Sequence, residues 1–146
     1  MASPVVTYDP TASYAVREHD MEYLRIGGRG YLVRVYQPEG AGPFPALLDI
    51  HGGAWSGSDR LTDEVVDRAL AAAGMVVASI DFRSAPEFPY PAQVQDANYA
   101  VRWLKAHAEE TTIERMQTAA YRRARVETLT GINNGVFTSS SEFAFT

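Results

Sequence analysis

The sequence predicts an α/β fold in which an N-terminal antiparallel hairpin leads into parallel βαβα units. Three observations carry that expectation. Two alternating, β-rich stretches flank a glycine-rich turn, two short and nearly continuous apolar runs stand further along the chain, and each of those runs is followed by a stretch with helical spacing. A strand, helix, strand, helix order implies a parallel sheet with right-handed crossovers.

The hairpin comes first. Met21 to Ile26 and Tyr31 to Gln37 alternate in β-forming residues, and Gly27-Gly28-Arg29-Gly30 between them supplies the positive-φ positions of a tight turn. Residues 1–20 read as an N-terminal arm. After a Gly/Pro-rich loop at Glu39 to Pro45, Ala46-Leu47-Leu48-Asp49-Ile50 is an apolar run of the kind covered on both faces, and it ends at His51-Gly52-Gly53. From Leu61 to Ala73, the residues Leu61, Val65, Val66, Ala69, Leu70 and Ala73 recur at helical spacing, and Gly74 follows where a helix stops. Met75 to Ile80 is a second buried-type strand. The stretch Ala85-Pro86-Glu87-Phe88-Pro89-Tyr90-Pro91 can continue neither element, and Ala92 to Ala108 returns to helical spacing through Val94, Ala97, Val101 and Leu104.

Residues 109–146 form a divergent C-terminal segment. Thr111 to Arg125 is compatible with a loosely amphipathic helix and Val126 to Thr130 with one more strand, while the Ser-rich stretch from Ser139 to Thr146 favours disorder.

Composition narrows the function classes. The 146 residues carry a formal net charge of -5, with 18 acidic against 13 basic residues, and are 46% hydrophobic, the profile of one globular domain. Nucleic acid and anionic membrane surfaces attract clustered Lys and Arg. The one tight basic group, Arg122, Arg123 and Arg125, reads as a solvated helix face. Neither nucleic acid nor a membrane is therefore expected as a partner. The absence of cysteine removes disulfides, thiolate metal sites and a cysteine nucleophile. No apolar run approaches the roughly 20 residues of a membrane span. Met1 to Pro10 lacks a basic region followed by an apolar stretch, so a cytoplasmic location is expected.

The chemistry-bearing segment is Asp49-Ile50-His51-Gly52-Gly53-Ala54-Trp55, where a strand end runs into a glycine-rich turn before a helix. About thirty residues on stand Asp81-Phe82-Arg83-Ser84-Ala85-Pro86-Glu87-Phe88-Pro89-Tyr90-Pro91-Ala92, then Gln95-Asp96 and Val101-Arg102-Trp103-Leu104. The first segment resembles the HGGG-type oxyanion loop of lipases and esterases, and the second is similar to the D-Y-R-L-A-P-E-x-x-F-P-A stretch and the E-D…L-R-W-L helix of the hormone-sensitive-lipase-like esterases. In order and spacing, residues 21–108 thus resemble the N-terminal portion of an α/β-hydrolase of that group, which implies a partial α/β-hydrolase sheet.

That resemblance implies roles for individual residues. In such a loop, backbone N–H groups stabilise the oxyanion of a tetrahedral intermediate; Gly53 and Ala54 are the expected donors, with Gly52 shaping the turn. His51 orders the loop, and the family position argues against a general base there. Asp81 and Arg83 hold nearby backbone by charge-assisted hydrogen bonds, and two such residues so close together at a strand end are expected to neutralise each other. Trp55, Phe88 and Tyr90 either line an apolar pocket wall or belong to the core. His19 and His107 read as solvated, and the three histidines show no ligand spacing, so no metal and no cofactor is expected.

The departure from the family pattern is as informative. The nucleophile of such esterases sits in a G-x-S-x-G elbow, followed in chain order by an acid and a histidine. The 146 residues contain no such motif. Gly131-Ile132-Asn133-Asn134-Gly135, preceded by Arg125-Val126-Glu127-Thr128-Leu129, reads either as a degenerate elbow with Asn133 in the serine position or as an ordinary Asn/Gly turn. A carboxamide has no hydroxyl for a base to deprotonate, and the residues after Asn133 include the single acid Glu142 and no histidine. A truncation, a frameshifted or recombined gene, or a degenerated paralogue would each account for this.

The expected function is that of a carboxylic-ester hydrolase relative of the serine esterase or lipase type. It keeps the oxyanion-hole loop, lacks the Ser-Asp-His triad in this chain, and is inactive on its own, with a small-molecule ester as the partner of intact relatives. The alternative is a non-catalytic interaction domain, a pseudoenzyme that pairs through an exposed sheet edge and so self-associates.

Overall fold

The computed structural model describes residues 11–40, 42–53 and 56–108, all within the first of two compact units, Met1–Glu114. Ala54, Trp55, Asn133 and the whole segment from Glu109 onward lie outside the described residues.

Four strands and two helices follow the expected order: β1 Val16–Ile26, β2 Arg29–Pro38, β3 Ala46–Asp49, α1 Glu64–Ala72, β4 Val76–Ile80 and α2 Ala92–Ala106. The sheet order is β1-β2-β4-β3. β1 pairs with β2 and β2 with β4 antiparallel, whereas β3 and β4 run parallel in the register Ala46 with Val76 to Asp49 with Ser79. An antiparallel hairpin and a parallel β3-α1-β4 crossover therefore share one mixed sheet, the α/β arrangement that the sequence predicted.

The hairpin turns on Gly27 and Gly28, whose φ values of 56° and 81° lie in the left-handed region that a primed two-residue turn requires. Arg29 and Gly30, expected in the turn, already belong to β2. β1 starts at Val16, inside the stretch read as an arm, because β2 continues to Pro38 and offers Val16 to Asp20 a full set of partners. That start was hidden by charge: Arg17, Glu18, His19 and Asp20 look like a solvated tail, yet on an outer strand they can remain at the surface while their backbone pairs. His19, expected to be solvated, accordingly sits in a strand opposite Val35, and partial burial lowers its pKa.

β4 is buried along its whole length, as a near-continuous apolar run predicts for a strand covered on both faces. Its alternation divides the core. Val76, Ala78 and Ile80 join Tyr23, Tyr31, Val33 and Val35 of the hairpin and Ala100 and Leu104 of α2, while Val77 packs with Tyr36 and Ala71 on the α1 side. The helices thus cover opposite faces. α1 does not turn its apolar stripe inward: Val65 is 84% and Val66 58% exposed, and Asp67 is buried instead.

Candidate functional site

β3 delivers the chain to the C-terminal edge of the parallel pair, where open α/β sheets place their ligand crevices. His51, the second residue beyond β3, is buried and stacks on Phe82, the second residue beyond β4, with ring centroids 4.5 Å apart. Its Nδ1 lies 2.7 Å from the Gly52 carbonyl oxygen, and since a carbonyl only accepts, that contact places the ring proton on Nδ1. The ring is thereby held against the base of the turn.

The turn itself depends on Gly53. Its φ is 130°, and a Cβ there would stand 2.1 Å from the Gly57 carbonyl oxygen, so no other residue fits without moving backbone. The Gly53 carbonyl accepts from the N–H groups of Ser56 at 3.2 Å and Gly57 at 3.0 Å, closing the loop on itself. Gly52 has open space around its Cβ position and lies outside the left-handed region. The turn-shaping role expected of Gly52 passes to Gly53 for that steric reason. Ser58, with φ of 79°, is the one positive-φ residue other than glycine among the described residues. Backbone held in a sparsely populated region this close to a strand-end loop has to be over-determined by its surroundings.

Those surroundings are ionic. Asp81 accepts from the backbone N–H of Arg60 at 2.9 Å and from its Nη1 at 3.0 Å, while the same guanidinium donates to Asp20 of β1, which Arg34 of β2 also holds at 2.8 Å. The hydrogen bonds from Arg34 and Arg60 keep the Asp20 carboxyl well below the usual carboxylate range. The Asp81 carbonyl takes the Tyr23 hydroxyl at 2.6 Å. A chain of two acids and two arginines therefore ties the far end of the loop, at Arg60, to β1, β2 and the residue that follows β4. Arg60 and Asp81, with Arg29, His51, Ser58 and Phe82, line a polar hollow of about 260 Å³.

Asp81 and Arg83 do not neutralise each other. Arg83 pairs with Asp96 of α2, its Nη2 lying 2.6 Å from Oδ1 and its backbone N–H donating to Oδ2 at 2.8 Å. Asp96 is 1% exposed, so a buried carboxylate joins the strand end to the first turns of α2, and hydrogen bonding to it raises the Arg83 pKa. Each has a partner from another part of the chain instead, Asp81 in Arg60 and Arg83 in Asp96. Phe88 lies under the Arg83 guanidinium at 5.8 Å, and Tyr90 is 81% exposed, so Tyr90 is not core and neither ring lines the hollow. His107 sits at the end of α2, stacked on Trp103 at 4.0 Å.

Arg60, Asp20 and Ser58 escaped the sequence reading. Arg60 stands in a polar stretch with no periodicity, and its importance follows from two acids, Asp20 and Asp81, that are distant in sequence. Among the described residues no group of three or more acids and histidines is disposed to hold a metal ion, and no helix is long and apolar enough to cross a membrane.

Comparison with known proteins gives this geometry a family. The BD-FAE family model matches residues 33–121, which include β3, the glycine turn, both helices and the Asp81 to Asp96 stretch. The chain belongs to the BD-FAE family. Its relatives are α/β-hydrolase esterases, as the hormone-sensitive-lipase-like resemblance implied. The carboxylic ester hydrolase LipN of Mycobacterium tuberculosis is 42% identical over 78 residues, covering 53% of this chain and 21% of that protein. An arylesterase of Saccharolobus solfataricus is 30% identical over 90 residues, covering 61% and 29%. Among solved structures, a bacterial heroin esterase superposes with a TM-score of 0.62 at 29% identity over 75% of this chain and 34% of that one, and the metagenomic carboxylesterase EstE1 with 0.62 at 30% identity over 71% and 35%. This BD-FAE chain therefore matches about a fifth to a third of the length of these relatives.

Proposed function

We propose that the loop after β3 is the oxyanion-stabilising part of a carboxylic-ester hydrolase site for short-chain acyl or aryl esters, with the backbone N–H groups of Gly53 and Ala54 as donors. The observation that carries this reading is Gly53: a positive φ and a backbone oxygen where a Cβ would lie are what a loop needs if main-chain donors are to stand clear at a strand end. His51 stacked on Phe82, and Arg60 bound to Asp81, act as the supports that hold it, and the esterase relatives supply the reaction class. The nucleophile is the missing part. With no G-x-S-x-G in these 146 residues and Asn133 at the nearest equivalent, the chain by itself has no covalent route to an acyl-enzyme.

Two measurements test the two halves. The purified chain should leave p-nitrophenyl butyrate untouched and should take no label from a serine-directed phosphonate; stoichiometric labelling of any serine would overturn the triad-less reading. Residues 46–60 transplanted into the Mycobacterium tuberculosis carboxylesterase NlhH, a relative 42% identical over 80 residues, should sustain turnover. Gly53→Ala in that chimera should lower kcat by about 10²–10³; an unchanged kcat would remove the loop from the oxyanion role.

A second reading, a non-catalytic interaction domain that self-associates, has its own support. β3 is an outer strand among the described residues, Ile50 beyond it is 50% exposed, and Val65 and Val66 stand out from α1. Sedimentation velocity would show a concentration-dependent dimer on this reading and a monomer on the first.

A further inference from the structure

We propose that Asp67 is a proton-binding site that ties the seating of α1 on the sheet to pH, a property independent of the ester reading. The side chain projects from the middle of α1 into the sheet and is 1% exposed, and its Oδ2 has no hydrogen-bond partner. Beneath it lies Tyr36 of β2, fully buried, whose hydroxyl is likewise unpartnered. These are the two buried, unpaired side-chain polar atoms among the described residues, and they are coupled: of the charged groups acting on the phenol, Asp67 has the largest effect. An isolated carboxylate buried with an empty lone pair is strongly disfavoured, whereas a neutral carboxyl beside a phenol can donate or accept a hydrogen bond.

The charges around Asp67 all push the same way. From β3 comes Asp49, whose Oδ2 is occupied by the Ser79 hydroxyl of β4 at 2.9 Å; from the residues before α1 comes Asp63. β4 contributes no ionisable group. The cations of the neighbourhood are engaged elsewhere, Arg68 of α1 with Glu18 of β1 and Glu64 of α1, and Arg34 of β2 with Asp20 of β1. Burial, reinforced by Asp49 and Asp63, pushes the Asp67 carboxyl from 3.8 up to about 7, and burial raises the Tyr36 phenol to about 12. The proton on Asp67 therefore leaves near neutrality while Tyr36 stays neutral.

The sign of the linkage follows. An acid with a raised folded-state pKa binds its proton more tightly in the native state, so its contribution is fully present below 3.8 and is lost as pH rises through about 7. The loss falls on α1, whose apolar hold on the sheet is Ala71 and Leu70 against Tyr36 and Val77, with the part-exposed Arg68–Glu18 pair as its ionic tie to β1. Because α1 begins at Glu64, immediately beyond the loop that Arg60 anchors, its loosening reaches the far end of the glycine turn.

The test uses the full chain. Carboxyl ¹³C NMR, with Asp67 assigned from Asp67→Asn, should give a midpoint near 7, and α1 amides should lose at least about tenfold in hydrogen-exchange protection between pH 5.5 and 8.5, after correction for intrinsic rates, while α2 amides do not. Asp67→Asn should remove that pH dependence. A midpoint near 4, or α1 protection that is flat with pH, would overturn the proposal. Both wild-type readouts stand even if the variant fails to fold.

Discussion

On the α2 side of the sheet, three aromatic rings and a row of β-branched residues meet Ala100 and Leu104, and the one buried charge there, Asp96, has both oxygens held by Arg83. On the α1 side, the core is Tyr36, Val77 and Ala71, and the buried acid, Asp67, has an oxygen with no partner. The same sheet thus carries a face whose packing and polar accounting agree and a face where they conflict. A buried charge stabilises only when its partners come with it. Sequence periodicity reports neither condition, which is why α1 and α2 look alike as strings and differ as packed helices.

The largest expected effect breaks the stronger face. Asp96→Ala leaves the Arg83 guanidinium, which lies 2.6 Å from its Oδ1, without its carboxylate, and should cost about 3–5 kcal/mol in urea unfolding. A loss under about 1 kcal/mol would mean that Phe88 and the neighbouring carbonyl of Ala92 can hold Arg83 alone.

A smaller effect sharpens the contrast between the two acids that shift in opposite directions. Asp20, held by Arg34 and Arg60, has a depressed pKa, so its contribution is present above 3.8 and lost as pH falls further. Arg60→Gln removes one partner of both Asp20 and Asp81. Its pairs are part-exposed and screened, so a loss of about 1 kcal/mol near neutral pH, shrinking with added salt and at pH below the usual carboxylate range, is expected. A loss that grows on acidification would reverse the sign assigned to Asp20.

These cases show what the sequence made legible. β3, β4, both helices and the glycine loop could be read because each depends on local signals: apolar runs, a helical repeat, a glycine cluster and a proline break. Gly53 stood out for its chemistry, although which of the two glycines shapes the turn was decided by the position of Gly57, four residues on. The ion-pair partners were not legible. Asp81 finds Arg60 across 21 residues and Arg60 finds Asp20 across 40, and no pattern along the chain encodes contacts that only the sheet order creates. Val16 to Asp20 were missed for the converse reason, since an outer strand needs few apolar residues to pair.

The smallest expected effect lies on the outer side of α1 and tests whether its exposure is intrinsic. Val65 and Val66 are 84% and 58% exposed, and with Ala69 and Ala72 they present an apolar strip bounded by Glu64 and Arg68. If that strip meets water, replacing both valines by serine removes no packing. Serine and valine also have similar helix propensities, so the change should stay within about 0.5 kcal/mol. If instead the strip is covered by a second copy, the double variant should lower the sedimentation coefficient at high protein concentration and make the melting temperature independent of concentration, because a partner that binds only the folded state stabilises it by mass action. A loss of about 2 kcal/mol with no change in sedimentation would fit neither case. It would mean that the valines are buried within the same chain and that α1 is rotated on the sheet, which would also bring Asp67 to the surface and its titration back towards 4.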